Sequence, residues 1–197
     1  TTTIVERYIH LIENCYFHPE EIMMTTFTNK AAKDMAEKIS KRTKKMPKYL
    51  GTMHSLFLKI LRDNHKEANL KQNFTLLTEE GDKRKIIKNI IVNIGLKPTS
   101  DNILYFLDRI NRFKNAGVHH ENLEEGNSSG ETDKIIKEAI EGEIIRVNSA
   151  IKKLGIRVYK EYQKTLLQSN MLDFDDILLL TYKLLNDNRQ IRENYAN

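Results

Sequence analysis

The stretch EIMMTTFTNKAAKDM, residues 21–35, decides the fold, because an apolar run stops abruptly in polar residues and a helical pattern follows at once. Residues 21–27 have the length of one strand and lie between Pro19 and the polar cluster. From residue 29 to residue 43 the apolar positions recur with a helical period. The stretch therefore predicts a strand that leads directly into an amphipathic helix.

The neighbouring segments repeat this order of elements. Residues 4–14 and 55–64 have the apolar spacing of helices, and residues 48–54 have the pattern of a second strand that closes on Gly51. Strands that alternate with helices predict an α/β fold whose sheet is parallel.

The chain after residue 66 has a different pattern, in which we expect helices and no strand. The predicted helices cover residues 79–95, 100–117, 133–167 and 172–185. The residues expected to cap or end them are Thr78, Gly95, Ser100, Gly117 and Asp173. Residues 119–132 are polar and contain Gly, Ser and Asn, which predicts an exposed loop. The whole chain is thus expected to be an α/β part that carries an all-helical insertion.

The composition is that of a soluble globular protein, with 40% hydrophobic and 30% charged residues among 197. No stretch approaches the ~18 apolar residues of a membrane span, so we expect a cytoplasmic protein without a membrane partner. The one cysteine, Cys15, excludes an internal disulfide and a cysteine-cluster metal site. Its apolar neighbours predict a buried, inert thiol.

The charge distribution favours polyanionic partners weakly. The chain has 32 basic and 27 acidic residues, a net charge of +5. Residues 38–48, KISKRTKKMPK, hold six basic side chains and no acidic one. Such a run can be a solvated face or a nucleic-acid contact, and the pattern leaves both open.

Polar clusters follow both predicted strands. The first cluster is Thr26, Phe27, Thr28, Asn29 and Lys30, and the second is Thr52, His54 and Ser55. The carboxyl ends of parallel strands meet at one sheet edge, where ligands collect and helix starts favour phosphate. A base could stack on the ring of Phe27. We therefore expect a polar track that suits single-stranded nucleic acid.

Purely structural roles are the alternative for these residues. Phe27 could lie in the core, while capping a helix could be the sole role of His54 and Ser55. Three carboxylates in the sequence DFDD could suggest a metal site, but we expect them to point to different sides of a helix. These carboxylates are Asp173, Asp175 and Asp176. A structural role is favoured for them, with Asp173 as a cap.

Three segments resemble the UvrD/Rep family of superfamily 1 DNA helicases. Residues 26–39, TFTNKAAKDMAEKI, resemble its motif Ia, and residues 51–62, GTMHSLFLKILR, resemble the next motif, with Met53 where Phe is usual. Residues 172–185, LDFDDILLLTYKLL, resemble the return into the first RecA-like domain. The resemblance implies an incomplete RecA-like parallel-sheet domain of the P-loop NTPase class with a mostly α-helical inserted subdomain. The implied boundaries are 1–66, 67–168 and 169–197.

The resemblance also implies a function, that of an ATP-dependent DNA helicase moving 3′ to 5′. Both polar clusters would contact single-stranded DNA, near junctions with the duplex. The remaining RecA-like domains would be partners, and ATP with Mg²⁺ the cofactors. Thr1 falls where the family's phosphate loop has its Mg²⁺ ligand, and Thr2 replaces the Arg that commonly follows.

The chain as given is expected to be an inactive excerpt of an active enzyme. The glycines and lysine of the family's phosphate loop and its Asp-Glu pair do not occur in it, so we expect no catalytic residue and no ATP hydrolysis. Two alternatives stay open. One is a DNA-binding module without a motor, and the other is a helical interaction protein that uses the predicted helix 133–167.

Overall fold

The computed structural model describes residues 2–123 and 154–196, which form helices and short strands. The helices are α1 (Thr2–Glu13), α2 (Asn29–Ser40), α3 (Met53–Asp63), α4 (Glu80–Asn93), α5 (Ser100–Asn115), α6 (Gly155–Gln168), α7 (Phe174–Asp187) and α8 (Arg189–Ala196). The strands are β1 (Met23–Thr26), β2 (Tyr49–Thr52), β3 (Thr75–Leu76) and β4 (Met171–Leu172). Two compact units result: the first unit is Thr1–Ala68 with Leu184–Asn197, and the second unit is Asn69–Lys183.

The first unit confirms the predicted alternation of helices and strands. β1 and β2 pair in parallel, from Met23 opposite Tyr49 to Thr26 opposite Thr52. The apolar stripes of α1 and α2 pack together with the inward side chains of the strands. This core consists of Val5, Tyr8, Ile9, Ile12, Met24, Met35 and Ile39. The small parallel sheet is compatible with part of a RecA-like domain.

The second unit is mainly helical, with α4, α5 and α6 packed around a shared apolar core. The expectation of no strand after residue 66 is wrong, because β3 and β4 pair in parallel. The backbone N–H of Thr75 donates to the carbonyl of Asn170, and that of Leu77 donates to Leu172. Each strand has two residues, too few to show an alternating pattern in the sequence.

In the second unit, the glycines predicted to end helices are confirmed, whereas the hydroxyl residues predicted to cap helix starts are wrong. Gly95 and Gly117 have φ of 81° and 74° and end α4 and α5 as predicted. The N-cap of α5 is Thr99, whose Oγ1 accepts from Asn102 N–H at 3.2 Å, and not Ser100. Thr78 does not cap α4, because α4 begins one residue later, after Glu79.

Several predictions concern the segment between α5 and α6. Most of the helix expected over 133–167 lies outside the described residues, and α6 covers its last part. The exposed loop expected from residue 119 is wrong at its start. His119 and Leu123 are buried there, and His120–Asn122 form a 3-10 turn against the core.

The expectation of a buried cysteine is also wrong, since Cys15 is exposed. α1 ends at Glu13, so the following residues leave the buried stripe of that helix. Tyr16 adopts a left-handed backbone with φ of 59° and is itself exposed. Within residues 2–123 and 154–196, the helices are all too short or too polar to cross a membrane.

Candidate nucleic-acid interface

The two polar clusters predicted from the sequence lie side by side. Thr26, the last residue of β1, is the register partner of Thr52, the last residue of β2. Both strands run in the same direction, so α2 and α3 begin at the same edge of the sheet. We call the residues at this edge the strand-end cluster: Thr26, Phe27, Thr28, Asn29, Lys30, Thr52, His54 and Ser55.

Phe27 is the apolar residue of the strand-end cluster. Its relative exposure is 102%, which excludes the alternative that it belongs to the core. Met53, at the start of α3, is 47% exposed. Each strand end therefore presents an apolar side chain to solvent among polar neighbours, and a flat ring in that position can stack on a base.

Threonine hydroxyls cap both helices of the cluster. Thr28 Oγ1 accepts from Ala31 N–H at 3.1 Å, and Thr52 Oγ1 accepts from Ser55 N–H at 3.2 Å. Each cap satisfies one of the N–H groups that a helix start leaves without an intrahelical partner. The structural role that the sequence allowed for these threonines is thus present. The hydroxyl hydrogen of each threonine can still donate to a phosphate oxygen.

The remaining cluster side chains present polar and charged groups at the helix starts. Asn29, Lys30 and His54 are exposed. The first N–H groups of α2 point out of the helix beside the Lys30 cation, and the helix dipole adds partial positive charge. An anion, such as a nucleic-acid phosphate, is the ligand that this arrangement favours.

Gly51 allows the close approach of β2 to the start of α3. A Cβ atom at this position would lie 2.4 Å from Ser55 Oγ. That hydroxyl donates to the Thr52 carbonyl at 2.7 Å, so it cannot move without losing a hydrogen bond. Gly51 therefore helps to fix Ser55 at the edge.

Replacing Gly51 with Ala is expected to destabilise the first unit by about 1–3 kcal/mol through overpacking and loss of that hydrogen bond. The double variant Gly51→Ala/Ser55→Ala should be more stable than Gly51→Ala, because it removes the hydroxyl that the new methyl group meets. Urea unfolding of the wild type and the two variants measures their free energies of unfolding. A double variant less stable than Gly51→Ala would contradict the proposed clash.

The basic run 38–48 is partly engaged within the first unit. Arg42 Nη1 lies 2.7 Å from Glu6 Oε1, and this hydrogen bond raises the pKa of Arg42. Lys48 Nζ lies 5.4 Å from the centre of the Tyr49 ring. These contacts favour the solvated-face interpretation for the two residues.

The sequence led us to expect the DFDD carboxylates on different sides of a helix, which is wrong for Asp173 and Asp176, because both converge on Lys114. Lys114 Nζ lies 2.7 Å from Asp173 Oδ2 and 2.8 Å from Asp176 Oδ1. A spacing of three residues places both carboxylates on one side of the first turn. The side chains of Lys114, Asp173 and Asp176 are each at most 1% exposed.

The expected capping role of Asp173 is confirmed. Asp173 Oδ1 accepts from Asp176 N–H at 2.9 Å, and Asp176 Oδ2 accepts from Asp173 N–H at 3.0 Å. Tyr162 Oη donates to Asp173, and Gln163 Nε2 donates to Asp176. These five residues form what we call the aspartate network, which joins α5, α6 and α7 in the second unit.

The two carboxylates of the aspartate network have pKa values that are shifted in opposite directions. Burial raises the pKa of Asp173, but attraction to Lys114 and hydrogen bonding outweigh burial and hold the pKa below its ordinary value. Burial is the larger effect for Asp176 and raises its pKa to about 6. One lysine therefore stabilises the charge of one carboxylate more than that of the other.

Sequence reasoning missed Lys114, Tyr162 and Gln163. A signal existed for Lys114, which lies four residues after the buried Ile110 and next to the buried Phe113, in the core stripe of α5. A charged residue in such a stripe indicates a buried partner of opposite charge. The predicted Mg²⁺ ligand, Thr1, lies outside the described residues.

Comparison with known proteins gives the family. The chain matches the UvrD/REP helicase N-terminal domain over residues 1–197. It is 31% identical over 199 residues to the probable DNA helicase II homolog of Rickettsia felis, covering 99% of this chain and 27% of that protein. The ATP-dependent DNA helicase Rep of Buchnera aphidicola (subsp. Baizongia pistaciae) is also 31% identical over 199 residues, with 99% and 26% covered.

A more distant relative agrees with these two. The ATP-dependent DNA helicase PcrA of Bacillus subtilis is 27% identical over 197 residues, covering 99% of this chain and 24% of that protein. The chain spans about a quarter of the length of these relatives. Because the match covers every residue, the chain belongs to the UvrD/Rep helicase family and corresponds to the N-terminal domain of its members.

Proposed function

We propose that this chain is part of an ATP-dependent 3′–5′ DNA helicase, in which the strand-end cluster contacts single-stranded DNA. It would comprise the first part of a RecA-like domain (1–66), an inserted helical subdomain (67–168) and the return into the RecA-like domain (169–197). Support comes from the names of the relatives and from the parallel β1–β2 pair. The boundary between compact units after Ala68 also supports the first of these divisions.

The observation that carries the proposal is the full exposure of Phe27 beside a paired strand end. The ring stands out from the edge at which Thr26 and Thr52 are register partners. A single-strand binder combines stacking rings with cationic and hydrogen-bonding groups that follow the phosphate backbone. Asn29 and Lys30, two and three residues after Phe27, provide the second kind of group at the start of α2.

The cofactors and other partners follow from the same proposal. ATP and Mg²⁺ would serve the longer protein, with Thr1 as a Mg²⁺ ligand, and junctions of single and double strands would be its substrates. The described residues of the cluster would hold the DNA, while other RecA-like segments would complete the nucleotide site. The chain alone would therefore hydrolyse no ATP.

Replacing Lys30 with Ala is expected to weaken single-stranded DNA binding and to reduce its salt dependence. A lysine that neutralises one phosphate releases about 0.7 counterion, so the slope of log K against log salt should become shallower by about 0.7. Fluorescence anisotropy with labelled oligothymidine at several salt concentrations measures the slope. Lys88→Ala, at an exposed position on α4 in the second unit, is the matched control. An equal slope for wild type and Lys30→Ala would contradict the proposed phosphate contact.

A further inference from the structure

Two histidines and a glutamate meet in the turn that follows α5. His119, His120 and Glu121 each offer a donor atom, and the three atoms lie within 4.8 Å of one another. The histidine rings are adjacent, with centroids 4.4 Å apart. We call these three residues the histidine turn. It belongs to the second unit and is separate in sequence from the strand-end cluster.

One distance in the histidine turn already fits a metal site. His119 Nδ1 lies 3.3 Å from Glu121 Oε2. A tetrahedral ion with bonds of about 2.0–2.1 Å to nitrogen and oxygen places its ligand atoms about 3.3–3.4 Å apart. All three donor atoms lie within 4.8 Å of one another, and the Glu121 side chain is 64% exposed, so it is free to turn towards an ion.

The burial of the histidine nitrogens is a second observation that points to a ligand. Only 7% of His119 is exposed, and its Nδ1, although 3.3 Å from Glu121 Oε2, makes no hydrogen bond among the described residues. The Nδ1 of the neighbouring His120 is likewise buried without one. Buried polar atoms are nearly always paired, so two adjacent imidazole nitrogens without partners are unusual. A metal ion would accept the lone pair of each.

We propose that the histidine turn binds one divalent transition-metal ion, with His119, His120 and Glu121 as ligands and water in the fourth position. Two imidazoles and one carboxylate suit Zn²⁺ best, because Mg²⁺ and Ca²⁺ prefer oxygen ligands only. The turn that would hold the ion packs against α6. Tyr159 on that helix already donates to the Val118 carbonyl at 3.0 Å and contacts the His120 ring edge-on.

The positive charge of Lys183 should weaken metal binding, and this gives a test of the proposal. Its Nζ lies 3.1 Å from Glu121 Oε2, so it competes for the carboxylate and repels a second cation. Removing this charge should tighten metal binding, whereas removing Glu121 should weaken it. Variants of two neighbouring residues thus shift the affinity in opposite directions, which general unfolding would not do.

The experiment is calorimetric titration of the chelator-treated full chain with ZnCl₂. We expect one saturable site per chain, weakened about tenfold or more in Glu121→Gln and in His119→Gln/His120→Gln, and tightened in Lys183→Met. His10→Gln, an exposed histidine on α1, should leave the affinity unchanged. Glu121→Gln changes a mostly exposed side chain, so the test stands even if the double variant does not fold.

Three outcomes would overturn the proposal. They are no saturable Zn²⁺ binding by the wild-type chain, an affinity that Glu121→Gln leaves unchanged, and a loss in His10→Gln equal to that in the histidine-turn variants. The X-ray absorption spectrum of the zinc-loaded chain adds a direct check, since the proposal predicts two imidazole ligands. None of these outcomes depends on DNA binding.

Discussion

Replacing Lys114 with Met is expected to lower the free energy of unfolding of the chain by about 3–5 kcal/mol at pH 7. Lys114 is the cation of the aspartate network and pairs with Asp173 and Asp176 in the interior. Met keeps a similar length and removes the charge, so two buried carboxylates lose their partner. Urea unfolding followed by circular dichroism measures the change.

Lys183→Met is the matched control for this prediction. Lys183 is 41% exposed and pairs with the exposed Glu121, so its removal should cost about 1 kcal/mol or less. If Lys114→Met cost no more than Lys183→Met, the aspartate network would not be an important source of stability.

The penalty of Lys114→Met should also depend on pH. Without the lysine, burial raises the pKa of both carboxyls above the unfolded value of about 3.9, so the folded variant binds more protons than the unfolded chain. The stability of the variant then falls as pH rises from the unfolded pKa of about 3.9 to the raised pKa values of the folded carboxyls. In the wild type the two carboxylates have opposite signs: the lowered pKa of Asp173 gives stability that is lost as pH falls, whereas the pKa of Asp176, raised to about 6, makes stability fall as pH rises. Urea unfolding from pH 4 to pH 7 should therefore show that the difference in free energy of unfolding between wild type and Lys114→Met grows with pH. A difference that stays constant would contradict the assignment of the penalty to the buried carboxylates.

Replacing Phe27 with Ala is expected to weaken single-stranded DNA binding by about 1–3 kcal/mol, which is about 5–150-fold in Kd. The ring is fully exposed, so its removal leaves the core unchanged and the free energy of unfolding should not fall. Loss of affinity without loss of stability separates a stacking role from a structural one. Anisotropy with labelled oligothymidine and urea unfolding of the same sample measure the two quantities.

Tyr182→Ala is the control for the Phe27 variant. Tyr182 is an aromatic residue of α7 that is 65% exposed and lies outside the strand-end cluster. Its removal should leave the affinity for oligothymidine within about twofold of the wild type, since the proposal gives it no base to stack on. An equal loss in both variants would mean that exposed aromatic surface in general, and not the cluster, binds the DNA.

The first unit was predictable because its signals are local. A strand-length apolar run, a threonine at the helix start and a helical period follow one another in β1 and α2, and again in β2 and α3. Local signals of this kind fix both the elements and the edge at which the strand-end cluster forms. They do not fix the direction of a single side chain, so Phe27 could be assigned to solvent only from the structure.

The second unit was less predictable because its decisive contacts join distant residues. Pairing of β3 with β4 brings Thr75 to Met171, and the aspartate network joins Lys114 to Asp173. Two-residue strands and a single buried lysine leave little periodic signal. The burial of His119 was missed for a related reason, since its polar neighbours in the sequence resemble those of an exposed loop.

The most direct test of the central claim is photocrosslinking of the protein to single-stranded DNA that contains 5-iodouracil. A halogenated base crosslinks to a ring on which it stacks, and mass spectrometry of tryptic peptides locates the adduct. The proposal predicts adducts at Phe27, within the peptide that ends at Lys30, and their loss in Phe27→Ala. Bound DNA whose adducts lie only outside the strand-end cluster would contradict it.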